Sequence, residues 1–265
     1  MDFQVDNKSV HAATGGKDFD ASLPTVVFLH GAAMDHTAWA LQSRYFAHHG
    51  RSVVALDLPG CGQSEGPVPE SIEAAAEWLI RVLDALDLSQ ADLVGHSMGA
   101  LVALAAAAAN PDRVGRLGLC GIGLPMAVHE FFLGAADTNT PLAIALMNDW
   151  AHGGAAHIGG SKMPGIWMIG ADTRLIERAD QGVLHACLKV CNDYTGGLEA
   201  AANVTVPTTI LAGDRDQMTR PAAARELASV LPDCRMEVIR NCGHLMMVER
   251  PDEVLDGLKT ALVVR

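Results

Sequence analysis

The sequence has no run of basic residues: among its 265 residues, Lys and Arg number 19 against 31 Asp and Glu, a formal charge of −12. Without a cationic stripe to neutralise phosphates, nucleic-acid binding is excluded. A membrane span is missing too. The longest apolar stretch, the alanine-rich Met98–Ala109, falls short of the roughly 20 residues that cross a bilayer, and reads as a buried helix of a soluble protein. The opening Met1-Asp2-Phe3-Gln4 has neither a basic start nor an apolar core, so no secretory signal is expected. Six cysteines lack the spacing of a disulfide framework, which points to reduced thiols in a cytoplasm. Cys187 and Cys191 stand one helical turn apart, but no second pair follows at zinc-site spacing, so they are read as packing and no metal site is expected. Repeats and low-complexity blocks are absent apart from the alanines. Disorder is excluded by the 49% apolar content.

What is present is a rhythm. Short runs rich in Val, Ile and Leu recur at Val26–Leu29, Ser52–Leu56, Asp92–Val94, Arg116–Leu119, Thr209–Leu211 and Met236–Ile239. Near-continuous apolar strands of this kind belong to a parallel sheet covered on both faces. Between them lie helical patterns. From Ser71 to Leu88, Ile72, Ala75, Ala76, Leu79, Val82, Leu83 and Leu86 recur at three and four, and from Pro251 to Val263 the stripe is Val254, Leu255, Leu258 and Leu262. Strands alternating with helices predict an α/β sheet with right-handed crossovers. Phe3–Val5 and Ser9–Ala13 are expected as an antiparallel hairpin at one edge.

The rhythm breaks between residues 122 and 202. Strand patterns vanish there, Met126, Met147, Met163 and Met168 appear, and glycine pairs such as Gly153-Gly154 and Gly159-Gly160 interrupt helical stretches. A helical lid is expected over 122–202, inserted into a core formed by 1–121 and 203–265, because methionine-bearing surfaces repack around apolar ligands.

The strongest chemical signal is Gly95-His96-Ser97-Met98-Gly99, which follows a strand and opens a helix. A serine between two glycines at such a turn is a nucleophile elbow, where crowding demands small residues two before and two after. The following helix adds a dipole that favours the alkoxide and a neighbouring oxyanion. A serine hydroxyl needs a base. Of eleven histidines, His244 is best placed, in Asn241-Cys242-Gly243-His244-Leu245 after the last strand. His11, His36, His48 and His49 are expected as plain surface residues, and His96 as packing and hydrogen bonding beneath the site. The acid that orients the imidazole is expected after Thr209–Leu211, in Ala212-Gly213-Asp214-Arg215-Asp216. Asp216 reaches further into the loop, with Asp214 as its structuring partner. Oxyanion donors are expected from the amides of Met98 and, in His30-Gly31-Ala32-Ala33-Met34, of Ala32 with Ala33 as the fallback.

These motifs resemble the α/β-hydrolase superfamily, and within it the bacterial lidded hydrolases: carboxylesterases, haloperoxidase-like perhydrolases, enol-lactonases and meta-cleavage-product hydrolases. The matching residues are His30-Gly31 with Trp39 downstream, Asp57–Ser64, Gly95–Gly99, Gly213-x-x-Asp216, and Gly243-His244 followed by Glu249-Arg250-Pro251. Cys61 departs from the usual basic or polar residue of that family. The resemblance implies a mostly parallel eight-stranded sheet flanked by helices, with the lid after the sixth strand, and places the acid at Asp216.

The implied activity is a serine hydrolase of the carboxylesterase type, requiring no metal or organic cofactor, acting on a small or hydrophobic ester, thioester or lactone as a monomer or homodimer. A carbon–carbon hydrolase of meta-cleavage diketones is the alternative enzyme. It usually carries a tryptophan soon after the histidine and a lid arginine. Here Leu245-Met246-Met247 follows His244, while the insertion holds Arg174 and Arg178, whose spacing is that of a solvated helix face. A non-catalytic ligand binder on the same fold would usually lack a triad member, and all three are present.

Overall fold

β-Branched side chains pack well on a pleated surface covered from both sides, and the Val- and Ile-rich runs all become strands. The computed structural model describes residues 1–138, 140–161 and 165–262. Its strands are β1 (Asp2–Val5), β2 (Lys8–Ala13), β3 (Thr25–Leu29), β4 (Ser52–Leu56), β5 (Ala91–His96), β6 (Val114–Cys120), β7 (Thr208–Gly213) and β8 (Cys234–Ile239). They form one eight-stranded sheet in the order β1-β2-β4-β3-β5-β6-β7-β8. β1 and β2 are the antiparallel hairpin, β2 lies antiparallel to β4, and the six strands from β4 to β8 run parallel.

The helices are α1 (Ala40–Ala47), α2 (Ile72–Ala85), α3 (Met98–Ala109), α4 (Glu130–Thr138), α5 (Thr140–Ala151), α6 (Gly154–His157), α7 (Met168–Glu177), α8 (Val183–Asp193), α9 (Gly197–Asn203), α10 (Pro221–Val230), α11 (Met246–Glu249) and α12 (Pro251–Ala261). The helix expected over Ser71–Leu88 is shorter by its ends. Ser71 is the cap, its hydroxyl accepting the Ala74 amide, and the chain leaves the helix at Leu86. The one expected over Pro251–Val263 ends at Ala261; Val263, like Met163, lies outside the described residues.

Side chains alternate across the sheet, so Val27 and Leu29 pack with α2 and α3 residues such as Leu79 and Leu101, while Val26 and Phe28 pack with Trp39, Phe46 and Leu258 on the other face. α3 is apolar all round because it is buried all round, Leu101 to Leu104 having no exposure. Between β6 and β7 the described residues hold α4 to α9 and no strand. α4, α5, α7 and α8 pack among themselves, and α9 returns to lie against α3 and α10. No described helix is long and apolar enough to cross a membrane. The parallel strands all point their carboxyl ends toward one rim, which is where ligands collect in such sheets.

Candidate active site

The turn from β5 into α3 is built for a side chain under backbone constraint. Ser97 has φ 53° and ψ −117°, a left-handed conformation that a non-glycine residue adopts only when its surroundings enforce it. A β-carbon at Gly95 would overlap the Gly99 carbonyl, and one at Gly99 would overlap the carbonyls of Leu29 and His30. Glycine is therefore required at both positions. The Ser97 amide donates to Cys120 O at 3.0 Å, which ties the turn to β6.

His244 follows β8 and is 1% exposed. Its Nδ1 donates to Asp216 Oδ2 at 2.8 Å. Nδ1 therefore carries the proton and Nε2 the lone pair of the neutral ring. Nε2 is buried, has no hydrogen-bond partner among the described residues, and its ring borders the same cavity as Ser97. Asp216 is saturated: Oδ1 accepts the amides of Met218 at 2.8 Å and Thr219 at 2.7 Å, and Oδ2 also accepts the Thr219 hydroxyl at 2.7 Å. Burial works against its charge, but His244 and these donors outweigh it and hold the carboxyl below its ordinary range. Asp214 is exposed, and its carboxylate accepts the Cys242 amide at 3.2 Å, bracing the loops rather than the imidazole.

The main chain of His244 is held from elsewhere. Its amide donates to Ala151 O at 2.6 Å, at the end of α5. Glu249 then bridges the two segments, accepting Gly243 N on one oxygen and Gly153 N on the other, both at 2.9 Å. Burial raises the Glu249 carboxyl above its usual range, opposed by these amides and by His152. Beside it, His152 Nε2 lies 2.7 Å from Asp172 Oδ2, a wholly buried pair. Below His244, His96 Nε2 donates to the His244 carbonyl at 3.0 Å, and burial lowers the His96 pKa to about 3, so the ring is neutral.

On the opposite wall, His30 donates from Nδ1 to Gly31 O at 2.7 Å and accepts the Leu58 amide on Nε2 at 3.0 Å. Burial keeps this ring neutral, which both bonds require. The loop it braces presents Ala32 to the cavity. Ala33, the fallback donor, follows it, buried and at φ 54°. The cavity is about 310 Å³, the size of a small-molecule site, and Met126, Phe132, Met147, Trp150 and Leu188 make its apolar wall.

The structure thus brings Ser97, His244, Ala32 and Thr219 to one cavity, with Asp216 behind His244 and Met98 buried at the start of α3. Sequence reasoning missed Thr219, Ala151 and Gly153. Only Thr219 left a local trace, since Asp-x-x-Thr is the spacing at which a carboxylate accepts the amides two and three residues on. Arg178, considered as a lid arginine, is exposed and lies 3.7 Å from Asp35, away from the cavity.

A model of the alpha/beta hydrolase family matches residues 26–256. The chain belongs to the α/β-hydrolase family. A hydrolase of Acinetobacter baylyi named for (E)-2-((N-methylformamido)methylene)succinate is 36% identical over 93 residues, about a third of each chain. The 2-hydroxy-6-oxononadienedioate/2-hydroxy-6-oxononatrienedioate hydrolase 2 of Pseudomonas putida is 30% identical over 91% of this chain and 90% of its own. Among solved structures, the enol-lactonase of Burkholderia xenovorans superposes with a TM-score of 0.86 at 22% identity, over 99% of this chain and all of that one, a likeness of fold.

Proposed function

We propose that this hydrolase is a serine enzyme of the carboxylesterase type, acting on a small or hydrophobic carboxylic ester, thioester or lactone. The observation that carries the reading is the pairing of a strained Ser97 with a His244 that lines the same cavity and whose buried Nε2 has no hydrogen-bond partner among the described residues. Ser97 Oγ attacks the carbonyl carbon while His244 Nε2 takes its proton. Asp216, kept ionised, stabilises the imidazolium and fixes its tautomer. The amides of Ala32 and Met98 receive the oxyanion, and the dipole of α3 adds to that field. His244 then protonates the leaving oxygen or sulfur, and water activated by the same imidazole releases the acid from Ser97. Residues 122–202 act as the lid, their apolar wall selecting the acyl group.

The test is hydrolysis of p-nitrophenyl esters of increasing acyl length by wild type and Ser97→Ala. Loss of about 10³-fold or more in kcat, with the melting temperature unchanged, is the expected result. Turnover that survives in Ser97→Ala overturns the assignment. The kinship with the Pseudomonas putida dioate hydrolase favours carbon–carbon hydrolysis as the second reading. Turnover of a vinylogous diketone without ester turnover would select it.

A further inference from the structure

The sequence reading makes His11 and His36 plain surface residues; both are half-buried, each against a carboxylate, Asp2 and Asp57. His152 is buried more deeply and is held on both sides of its ring. It follows the last residue of α5, and its side chain has no exposure. Nδ1 lies 3.0 Å from the carbonyl oxygen of Asn148, one turn back in α5, and Nε2 lies 2.7 Å from Oδ2 of Asp172 in α7. A carbonyl oxygen only accepts, and so does a carboxylate, whereas a neutral imidazole has one proton to give. The two contacts therefore need a second proton, whether it rests on Nε2 or on the carboxyl oxygen it faces.

The surroundings keep that proton. Burial works against a charged ring, but Asp172 from α7, the Asn148 carbonyl from α5 and Glu249 from α11 outweigh it and raise the His152 pKa above its ordinary value. His157 of α6 also faces the ring, exposed and 6.3 Å away between centroids. The groove that His152 borders carries both signs of charge, from Asp214 and Asp216 and from Arg215, Arg220 and Arg225.

What the ring anchors is the backbone on either side of it. Ala151 O accepts the amides of His244 at 2.6 Å and Leu245 at 3.2 Å, and Gly153 N donates to Glu249. The two segments lie so close that a β-carbon at Gly243 would overlap the Ala151 carbonyl oxygen and the Gly153 nitrogen. A shift of residues 151–153 is thus passed directly to 243–245. The helices themselves have a separate tie, Asn148 Nδ2 donating to Thr173 Oγ1 at 2.8 Å, so loss of the His152 contact frees the end of α5 without parting α5 from α7.

We propose that His152 is a positioning residue for the catalytic base: protonated, it fixes the Ala151–Gly153 strap and with it His244, and on losing its proton it releases both. The inference rests on the reading of His244 as the base. Its sign is set by the ring. With a folded pKa above the ordinary value near 6.5, kcat and the ring's contribution to stability are complete below about pH 6.5 and fall as pH rises through the folded value. The acid limb of the same profile belongs to His244, which must be neutral to take the Ser97 proton.

The experiment follows kcat for a p-nitrophenyl ester against pH in wild type, Asp172→Asn and His152→Gln, beside NMR titration of the His152 ring nitrogens and the His244 amide. In wild type the profile should be a bell, and the His244 amide, hydrogen-bonded to Ala151, should shift at the pH where His152 titrates. Asp172→Asn removes the charge that holds the proton, and should move the alkaline limb down by about one pH unit or more while the acid limb stays. His152→Gln, which cannot titrate, should lose the alkaline limb and lower kcat by about 10-fold with less change in KM. A structural tie alone would lower stability and leave the limb where it was. An alkaline limb that persists in His152→Gln or stays in place in Asp172→Asn, or a His244 amide that ignores the His152 titration, would each overturn the proposal; the wild-type titrations decide it where a variant does not fold. Turnover surviving in Ser97→Ala would instead overturn the serine reading, and the NMR titrations do not depend on turnover.

Discussion

His244 is held by two regions that differ in kind. Its imidazole belongs to the strand-end region, where Asp216 and Thr219 bind it from the loop after β7. Its amide belongs to the helical segment between β6 and β7, through the carbonyl of Ala151. In the first region identities are dictated by direct chemistry: a carboxylate that must stay charged, glycines that no other residue can replace, a serine forced to φ 53°. In the second, the groups that matter are main-chain amides and carbonyls plus an apolar wall, and many side chains satisfy both. Single substitutions should therefore cost activity in steps: largest at the imidazole, smaller at the strap, smallest at the wall.

The sharpest probe of that ranking compares the two carboxylates of one loop. Asp216→Asn removes the charge that fixes the His244 tautomer, and should lower kcat by about 10⁴-fold. Asp214→Asn, whose side chain braces the Cys242 amide, should cost less than about 10-fold, as a side-chain change outside the reacting groups. The reverse order in steady-state kinetics would move the acid to Asp214. The pH dependence follows in sign. The folded Asp216 carboxyl titrates below its unfolded value, so its contribution to stability is complete above that value and lost as pH falls through the folded one. Urea midpoints followed downward from about pH 5, just above the unfolded carboxylate value near 3.9, should fall in wild type and fall less in Asp216→Asn.

The same contrast explains what could be read from the sequence. α3 was legible to its ends because twelve consecutive apolar or small residues are bounded by a serine turn and by Asn110. The parallel strands were legible in position: β4 keeps its expected bounds, Ser52–Leu56, while others extend a residue or two beyond the apolar centre, as β6 does from Val114 to Cys120. Ser97, Asp216 and His244 stood out because each follows a strand with a glycine that the backbone requires. The Ala151 carbonyl could not stand out, since any residue presents one and its partner is 93 positions away. Glu249 was visible only as part of a motif, without its role, because both of its partners are backbone amides. Nor does the alternation of Met and Gly in the helical segment encode breaks uniquely. Gly182 does start α8 with φ 87°, whereas Gly170 lies inside α7 against Trp167.

A middle-sized effect should come from Glu249→Gln, which tests whether the strap matters to the imidazole. The carboxylate accepts one amide on each oxygen, and a glutamine turns an NH₂ toward one of them. Leaving a buried donor unmatched costs about 1–3 kcal/mol, to be seen as a lowered melting temperature. Because the folded carboxyl titrates above its unfolded value, ionised Glu249 works against folding as pH rises through the folded value, and the glutamine variant should lose that dependence. With the Gly243–Gly153 bridge loosened, kcat should fall by about 10-fold while KM changes less, the signature of a misplaced base. An unchanged kcat would mean that Asp216 and Thr219 alone set the position of His244.

The smallest effect belongs to the wall, and there the expectation is a change of preference rather than a loss. Val128 borders the cavity while its amide is anchored separately by Asn192 Oδ1 at 3.0 Å, so its side chain can be varied without releasing the backbone. Val128→Ala opens space for about one further methylene, and Val128→Phe closes it. In an apolar pocket one methylene is worth about 1–3 kcal/mol, or 10- to 200-fold in kcat/KM, and partial exposure puts this position at the low end. Across a series of p-nitrophenyl esters the alanine variant should move the optimum toward longer acyl chains and the phenylalanine variant toward shorter ones, with kcat for the shortest ester unchanged in both. If both variants lower all esters alike, the wall is part of the strand-end machinery after all, and the division between the two regions would have to be redrawn at Phe132 and Trp150, whose rings meet edge-on 5.6 Å apart just inside it.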